Sequence, residues 1–282
     1  MNRIVTRRSL TPEITLFEVE ALRIARRWKP GQFLIVRPAA DSERIPLTIV
    51  DGSAERGTIT MVVQAIGKTT KVLATLGEGE SISDLVGPLG EPATIHHAGR
   101  VLAVGGGVGV AELLPVARAF RQAGNHVTAI CGARSVKHII LDDELRSAAN
   151  EVLWSTDDGS NGFRGNVVDL MRTWYDEENG PKLAHVIGPI PMMRAAAGLT
   201  REWSVPTFAS LNPVMIDGTG MCGGCRVTVG GKVRFACVEG PEFDAHQVDF
   251  DELARRNRAY GEFERMALNG HECRIGLNGR AV

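Results

Sequence analysis

The sequence predicts a β-barrel plus α/β fold class: an antiparallel barrel, then a parallel-sheet α/β domain, then a small cysteine-bearing C-terminal segment. Three observations predict it. Short β-rich runs punctuated by proline fill residues 1–98, strands alternate with helical stretches from Arg100, and a glycine-rich stretch with three closely spaced cysteines follows Ser210. At 282 residues the chain is too long for one small core, so two or three domains are expected.

In the first region, Glu13–Glu20, Gln32–Arg37 and Thr58–Gln64 are rich in β-branched and aromatic residues. Pro12, Pro30, Pro38, Pro46, Pro88 and Pro92 separate these runs, the pattern of a small antiparallel barrel. The second region begins with Val101–Val104, followed by a helix from about Val108 to Gln122, a strand His126–Ile130 and a helix near Asp142–Asn150. This is βαβ grammar, which implies a parallel sheet.

Gly105-Gly106-Gly107-Val-Gly109-Val-Ala111 lies directly after the first of these strands and directly before a helix. There, backbone N–H groups and the helix dipole can hold a pyrophosphate. A glycine cluster alone reads equally well as a tight turn. No acidic residue follows the second strand as the Rossmann fingerprint requires; Cys131-Gly132-Ala133-Arg134-Ser135 stands there instead. A dinucleotide site of another kind is expected.

The third region carries the most specific signal, Asp217-x4-Cys222-x2-Cys225-x11-Cys237. Plant-type [2Fe–2S] sites use Cys-x4-Cys-x2-Cys with a distant fourth Cys, and glycines let the loop curl so that backbone N–H groups approach the sulfides. Here Asp217 takes the first position. A zinc knuckle or a CxxC redox pair are the competing readings. The first lacks a second CxxC or His pair nearby, His246 being the nearest downstream histidine, and the second lacks a helix, which Gly218, Gly220, Gly223 and Gly224 oppose. Arg226–Val229 and Lys232–Ala236 read as strands joined by a Gly230-Gly231 turn, a hairpin that carries Cys237 back beside Cys225. A charged helix from about Asp249 to Met266 follows. Cys131 reads as a buried strand-end thiol, and the tail with His271, Cys273 and Leu277–Arg280 as a disordered end.

Composition narrows the function classes. A formal net charge of −1 gives no nucleic-acid footprint, and no stretch reaches the roughly 18 apolar residues of a membrane span. The N-terminus has no long apolar run behind it, so a cytoplasmic location with reduced thiols is expected.

These motifs together resemble the ferredoxin–NADP reductase superfamily, and within it the small subunits of NADH-dependent reduced ferredoxin:NADP oxidoreductase, also known as sulfide dehydrogenase β subunits. The resemblance spans residues 3–268 and is most specific in Ser210–Cys225, Phe235–Phe243 and Ile187–Met193. It implies an FAD-binding barrel over 1–98, an NAD-binding domain over 99–209, a [2Fe–2S] segment over 210–250 and a C-terminal helix and tail over 251–282. One Asp and three Cys hold the cluster in that family, which implies Asp217, Cys222, Cys225 and Cys237 as iron ligands.

Carried over by position, Arg44-Ile-Pro46-Leu47-Thr48 resembles the flavin motif, with Arg44 on the FAD pyrophosphate and Thr48 beside ring atom N5. Gly67-Lys-Thr69-Thr70 resembles the second flavin motif, where hydroxyls at a helix start receive phosphates. Without the resemblance, Arg44 is an ordinary charge in a polar loop with Asp41 and Glu43. Gly105, Gly106, Gly107 and Gly109 then correspond to the NAD phosphate loop, Gly132, Ala133 and Arg134 to the ribose side, and Gly188, Pro189, Met192 and Met193 to the nicotinamide side. Glu112 departs from the family, whose members commonly have Pro there. Ser155-Thr-Asp157-Asp158 stands where NADP-reading members place Ser and Arg; two carboxylates repel a 2′-phosphate, so NAD(H) is expected over NADP(H).

The function so implied is electron transfer between NAD(H), FAD and the cluster, to or from a larger partner subunit with its own FAD and [4Fe–4S] clusters, with ferredoxin reached through the complex and electron bifurcation a property of the assembly. A dihydroorotate dehydrogenase-type electron-transfer subunit, a sulfide or polysulfide dehydrogenase subunit and a non-catalytic iron–sulfur module are the alternatives. The first uses four cysteines, against which Asp217 argues.

Overall fold

The computed structural model describes residues 2–268. Strands β1 (Ile4–Ser9), β2 (Ile14–Glu20), β3 (Phe33–Arg37), β4 (Ile45–Thr48), β5 (Asp51–Ser53), β6 (Thr58–Gln64) and β7 (Asp84–Leu89) build the first region, with helices α1 (Leu22–Ala25) and α2 (Lys68–Thr75). They form two antiparallel sheets, ordered β1-β2-β6-β5 and β4-β3-β7. One corner joins the two: Ile49 N–H donates to Gln32 O at 3.1 Å on one sheet, and Val50 N–H donates to Thr60 O at 2.9 Å on the other. Period-two alternation turns Phe17, Val19, Leu34, Val36, Ile59, Met61 and Val63 into the shared interior, each fully buried.

The second region is a seven-stranded sheet built from β8 (Arg100–Gly106), β9 (His126–Ala133), β10 (Glu151–Thr156), β11 (Phe163–Arg164), β12 (Leu183–Ile187) and β13 (Thr207–Ser210), with one further strand, β16 (Glu242–Asp244), from the C-terminal segment. Its order, β11-β10-β9-β8-β12-β13-β16, reverses direction of travel between β8 and β12. Helices α3 (Gly109–Gln122) and α4 (Asp142–Ala148) pack on one face, and α5 (Val167–Trp174) and α6 (Ile190–Glu202) on the other. Covered on both sides, β8 is buried without interruption from Val101 to Gly106.

In the C-terminal segment, β14 (Arg226–Val229) and β15 (Lys232–Phe235) form the expected hairpin. Gly230 at φ +58° and Gly231 at φ +73° supply the two left-handed residues that a type I′ turn demands. Helix α7 (Ala236–Glu239) returns the chain to β16 (Glu242–Asp244), which pairs antiparallel with β13. Cys225, Val227, Ala236 and Cys237 therefore share one buried cluster with Val104, Val186, Met193 and Ala209 of the seven-stranded region.

Two helices differ from their expected bounds. The charged helix becomes α8 (Phe250–Arg258), a turn at Ala259–Tyr260, and a further helix α9 over residues 261–268. Phe250 and Leu253 anchor α8 in the core, but most residues beyond Arg258 are exposed and no buried stripe holds one continuous helix. Helix α4 stops at Ala148 because Asn150 leaves it to accept the Val127 N–H at 2.9 Å. His271, Cys273 and Leu277–Arg280 lie outside the described residues. Among the described residues, no helix is long and apolar enough to cross a membrane.

Candidate functional site

A cavity of about 530 Å³ opens at the C-terminal edge of the sheet, beside the neighbouring strands β8 and β12 where the strand order reverses. Gly106 at the end of β8, Gly107 in the loop after it, Gly109 at the start of α3, Gly132 and Ala133 at the end of β9, Arg134 after β9, Asp157 after β10, and Gly188, Pro189 and Met192 after β12 all line it. Gly107 sits at φ +58° and its N–H donates to Gly132 O at 3.0 Å, which ties the two strand ends together. A Cβ on Gly109 would lie 2.6 Å from Ile187 O, so only glycine lets α3 begin against the end of β12. The helix N-terminus thus faces the cavity, as an anionic ligand requires.

Three expected residues stand elsewhere. Gly105 lies within β8, beneath the loop. Met193 is fully buried in the core under the sheet, because one helical step of about 100° turns it away from Met192. Asp158 points outward: its carboxylate accepts the Ser160 N–H at 2.9 Å and the Ser160 hydroxyl at 2.6 Å, and these bonds hold its pKa below the usual carboxylate value. Of the two carboxylates expected at the ribose, only Asp157 reaches the cavity. Arg134 spans to Glu13 of the barrel at 3.4 Å.

On the barrel, Pro46, Leu47 and Thr48 occupy β4, opposite Ile35, Leu34 and Phe33. Arg44 is exposed just before β4 and has no ion-pair partner among the described residues. At the start of α2, the Thr70 hydroxyl accepts the Gly67 N–H at 2.9 Å and the Ile66 N–H at 3.1 Å, closing the helix cap. Thr69 differs. Its hydroxyl is buried with no hydrogen-bond partner, a cost that a phosphate oxygen at this N-terminus would remove. The residues present fit an FAD pyrophosphate in this respect.

The fourth group of residues gathers at the C-terminal segment. The Cys225 and Cys237 sulfurs are 3.1 Å apart, well beyond the roughly 2.05 Å of a disulfide. Burial, reinforced by Cys225, pushes the Cys237 thiol up to about 12. Asp217 accepts the N–H groups of Thr219 at 2.7 Å and Cys222 at 2.6 Å, and these bonds lower its pKa. Gly224 N–H reaches the Cys222 sulfur, and Cys237 N–H the Cys225 sulfur, each at 3.5 Å. Gly218, Gly220 and Gly223, at φ +75°, +85° and +67°, curl the loop to make this possible. Among the described residues, no three His, Cys, Asp or Glu side chains converge as a single-ion site would need. Sulfurs already receiving backbone N–H bonds suit a two-iron cluster, whose ligands are divided between two metal atoms.

Residues 212–249 match the family model described as the iron–sulfur cluster binding domain of dihydroorotate dehydrogenase B. A Thermotoga maritima protein described as a homologue of the electron transfer subunit of dihydroorotate dehydrogenase B (NAD(+)) is 44% identical, over 95% of this chain and 94% of its own length. The chain belongs to this electron-transfer-subunit family. A Desulforamulus reducens dihydroorotate dehydrogenase B electron transfer subunit is 33% identical, over 85% of this chain and 94% of that one. Among solved structures, that of an NADH-dependent reduced ferredoxin–NADP oxidoreductase, reported for its insight into flavin-based electron bifurcation, matches with a TM-score of 0.92 and 42% identity, over 96% of this chain and 98% of the compared chain. A ferredoxin NADP+ reductase from Neisseria gonorrhoeae, 16% identical with a TM-score of 0.56 over 72% of this chain and 90% of its own, shares the fold.

In this electron-transfer subunit several cavity residues were not among those the sequence assigned to a nucleotide or flavin. Ile14, Gln64 and Ile66 come from the barrel, His138 and Asn166 from the sheet's far side, and Ser210 and Asn212 from the entry to the cysteine loop. Only three-dimensional closure brings them together. Glu112 was visible in sequence as a departure from its relatives but not as a partner of the barrel. Burial raises its pKa to about 7, with the nearby Thr48 hydroxyl acting in the opposite direction.

Proposed function

We propose that this electron-transfer subunit moves electrons between NAD(H), FAD and a [2Fe–2S] cluster held by Asp217, Cys222, Cys225 and Cys237, and exchanges them with a larger subunit carrying its own FAD and [4Fe–4S] clusters. One observation carries the reading: the barrel, the glycine loops of the sheet and the entry to the cysteine loop border a single cavity. When bound, the flavin divides a two-electron donor into single-electron steps that a cluster can carry. The chain's own residues bind and orient. Gly106, Gly107 and Gly109 present backbone N–H groups to a pyrophosphate, Arg44 and Thr69 take the flavin phosphates, and Gly188, Pro189 and Met192 form the nicotinamide wall. Asp157 accepts from ribose hydroxyls and repels a 2′-phosphate, which supports NAD(H).

The assembly read here is an electron-bifurcating NADH-dependent ferredoxin:NADP oxidoreductase, supported by the 42% identity and 0.92 TM-score to that enzyme's structure. A dihydroorotate-oxidising partner is the second reading, supported by the names of the sequence relatives. Anaerobic purification tests both. Flavin, about two irons per chain, NADH-dependent bleaching of the flavin band and a co-purifying subunit with a second FAD and [4Fe–4S] clusters are expected. A dihydroorotate-oxidising partner overturns the first assembly, and zinc or no metal in folded protein overturns the cluster.

A further inference from the structure

Helix α8, expected from the sequence only as a charged helix, closes its last turn over the cysteine segment. Asn257 Nδ2 donates to Asn212 O at 3.0 Å and Arg256 Nη2 donates to Gly224 O at 3.4 Å, so two successive side chains hold the entry and the middle of that segment. Gly224 stands between Cys222 and Cys225, and its own N–H reaches the Cys222 sulfur at 3.5 Å. Its carbonyl is one peptide from Cys225. Bond lengths and angles alone therefore keep the Cys225 sulfur within about 9 Å of Arg256 Nη2.

This chain does not neutralise the Arg256 charge. Its Nε is buried without a hydrogen-bond partner, and among the described residues it enters no ion pair. Two carboxylates of the same segment are engaged elsewhere: Asp251 pairs with Arg194 and Glu239 with Arg234, each at 2.6 Å. A cavity of about 170 Å³ is shared by Gly224, Arg226 and Arg256, and no acidic side chain lines it. Arg226 differs in being exposed to water beside Gly223.

We propose that Arg256 is a positioning and potential-setting residue for the [2Fe–2S] cluster: its guanidinium braces the loop at Gly224 and places an uncompensated positive charge beside the ligands. The inference rests on the cluster reading above. One electron passed from the flavin adds one negative charge to the cluster, and a fixed cation nearby favours that reduced state. Over about 9 Å, at an effective dielectric of about 20 and with some screening by salt, the attraction corresponds to about a tenfold change in the ratio of reduced to oxidised cluster. Arginine suits the task because its charge does not titrate and its planar fork can hold a carbonyl at the same time.

The test is a potentiometric titration of the cluster, followed by electron paramagnetic resonance, on full-length protein for the wild type, Arg256→Lys, Arg256→Gln and Arg226→Gln. At the wild-type midpoint, Arg256→Gln should show about a tenfold lower ratio of reduced to oxidised cluster, a midpoint lower by about 59 mV for one electron. Arg256→Lys keeps the charge and should stay within about threefold of wild type. Arg226→Gln removes a solvated charge and should shift less than Arg256→Gln. A wild-type midpoint in Arg256→Gln with full iron overturns this proposal alone. So does an equal fall in Arg256→Lys, which would assign the effect to the loop's bracing and not to charge, or a larger fall in Arg226→Gln. Where Arg256→Gln loses its iron, Arg256→Lys decides: iron retained at the wild-type midpoint supports the proposal, and iron lost overturns it. Zinc or no metal in folded wild type overturns the cluster reading and this proposal with it.

Discussion

The sulfurs of Cys225 and Cys237 meet at 3.1 Å although twelve positions separate them in the chain. The Gly230-Gly231 turn brings them together, since β14 and β15 start and finish beside the two cysteines. Serine at either position should lower iron from about two atoms per chain to less than half of that, read by metal analysis and visible absorbance. Asp217→Cys should retain iron, because it restores a fourth thiolate at the same spacing. Full iron in Cys237→Ser would remove Cys237 from the ligand set.

Thr69 offers a test in which two readouts move in opposite directions. Its buried hydroxyl has no partner in the protein, so Thr69→Ala should leave thermal stability without flavin unchanged or slightly raised. Flavin affinity should fall by about 1.5–3 kcal/mol, roughly tenfold to a hundredfold, through loss of a hydrogen bond to a charged group. Equal flavin affinity in the two proteins, measured by fluorescence titration, would place the phosphates elsewhere.

Gly109→Ala puts a methyl group 2.6 Å from Ile187 O, a backbone atom that cannot step aside. The start of α3 must move away from β12, and NADH affinity should drop at least about tenfold. The cluster's absorbance should stay unchanged, since its loop is elsewhere in the structure.

Asp157→Ser should improve the use of NADPH relative to NADH by about tenfold, while Asp158→Ser should change it little. The difference follows from geometry: Asp157 lines the cavity, and Asp158 is occupied by Ser160. Paired kcat/KM values for the two nucleotides check it. Equal effects of the two substitutions would remove the geometric argument.

His185 and Glu242 shape the pH dependence of stability. They face each other at 3.6 Å, with no hydrogen bond to the His185 ring or to the Glu242 oxygen that faces it. Burial lowers His185 from 6.5 to about 3 and raises Glu242 from 4.5 to about 8. Between about 3 and 6.5 the unfolded chain binds more protons at His185, so that residue's contribution rises with pH; between about 4.5 and 8 the native chain binds more at Glu242, so its contribution falls. The two cancel from about 4.5 to 6.5, and a decline follows up to about 8. Glu242→Gln should flatten that decline in melting temperature, and an unaltered profile would exclude Glu242 as its source.

Much of this was legible in the sequence because each feature was local. The glycines before α3, the two-residue hairpin turn and the spacing of Asp217, Cys222 and Cys225 are set by neighbours within a few positions. Features that depend on tertiary contacts were not legible. Met192 and Met193 are equivalent in a motif, yet only one faces the cavity, and Asp158 is withdrawn by a serine two residues on. Asp51 and Arg118 lie 67 positions apart, and only packing of the barrel on α3 pairs them, at 3.2 Å. The break at Ala259–Tyr260 likewise reflects where buried contacts end rather than any helix-breaking residue.

Ser210 and Glu242 are direct neighbours across β13 and β16. Everything between them, the cysteine loop and the hairpin included, is thus a closed excursion that leaves and rejoins the molecule at one point. Grafted between a last parallel strand and a returning edge strand, together with the sheet residues that Cys225, Val227, Ala236 and Cys237 pack against, it would give a plain flavin reductase an outlet for single electrons while keeping the strand order it was attached to.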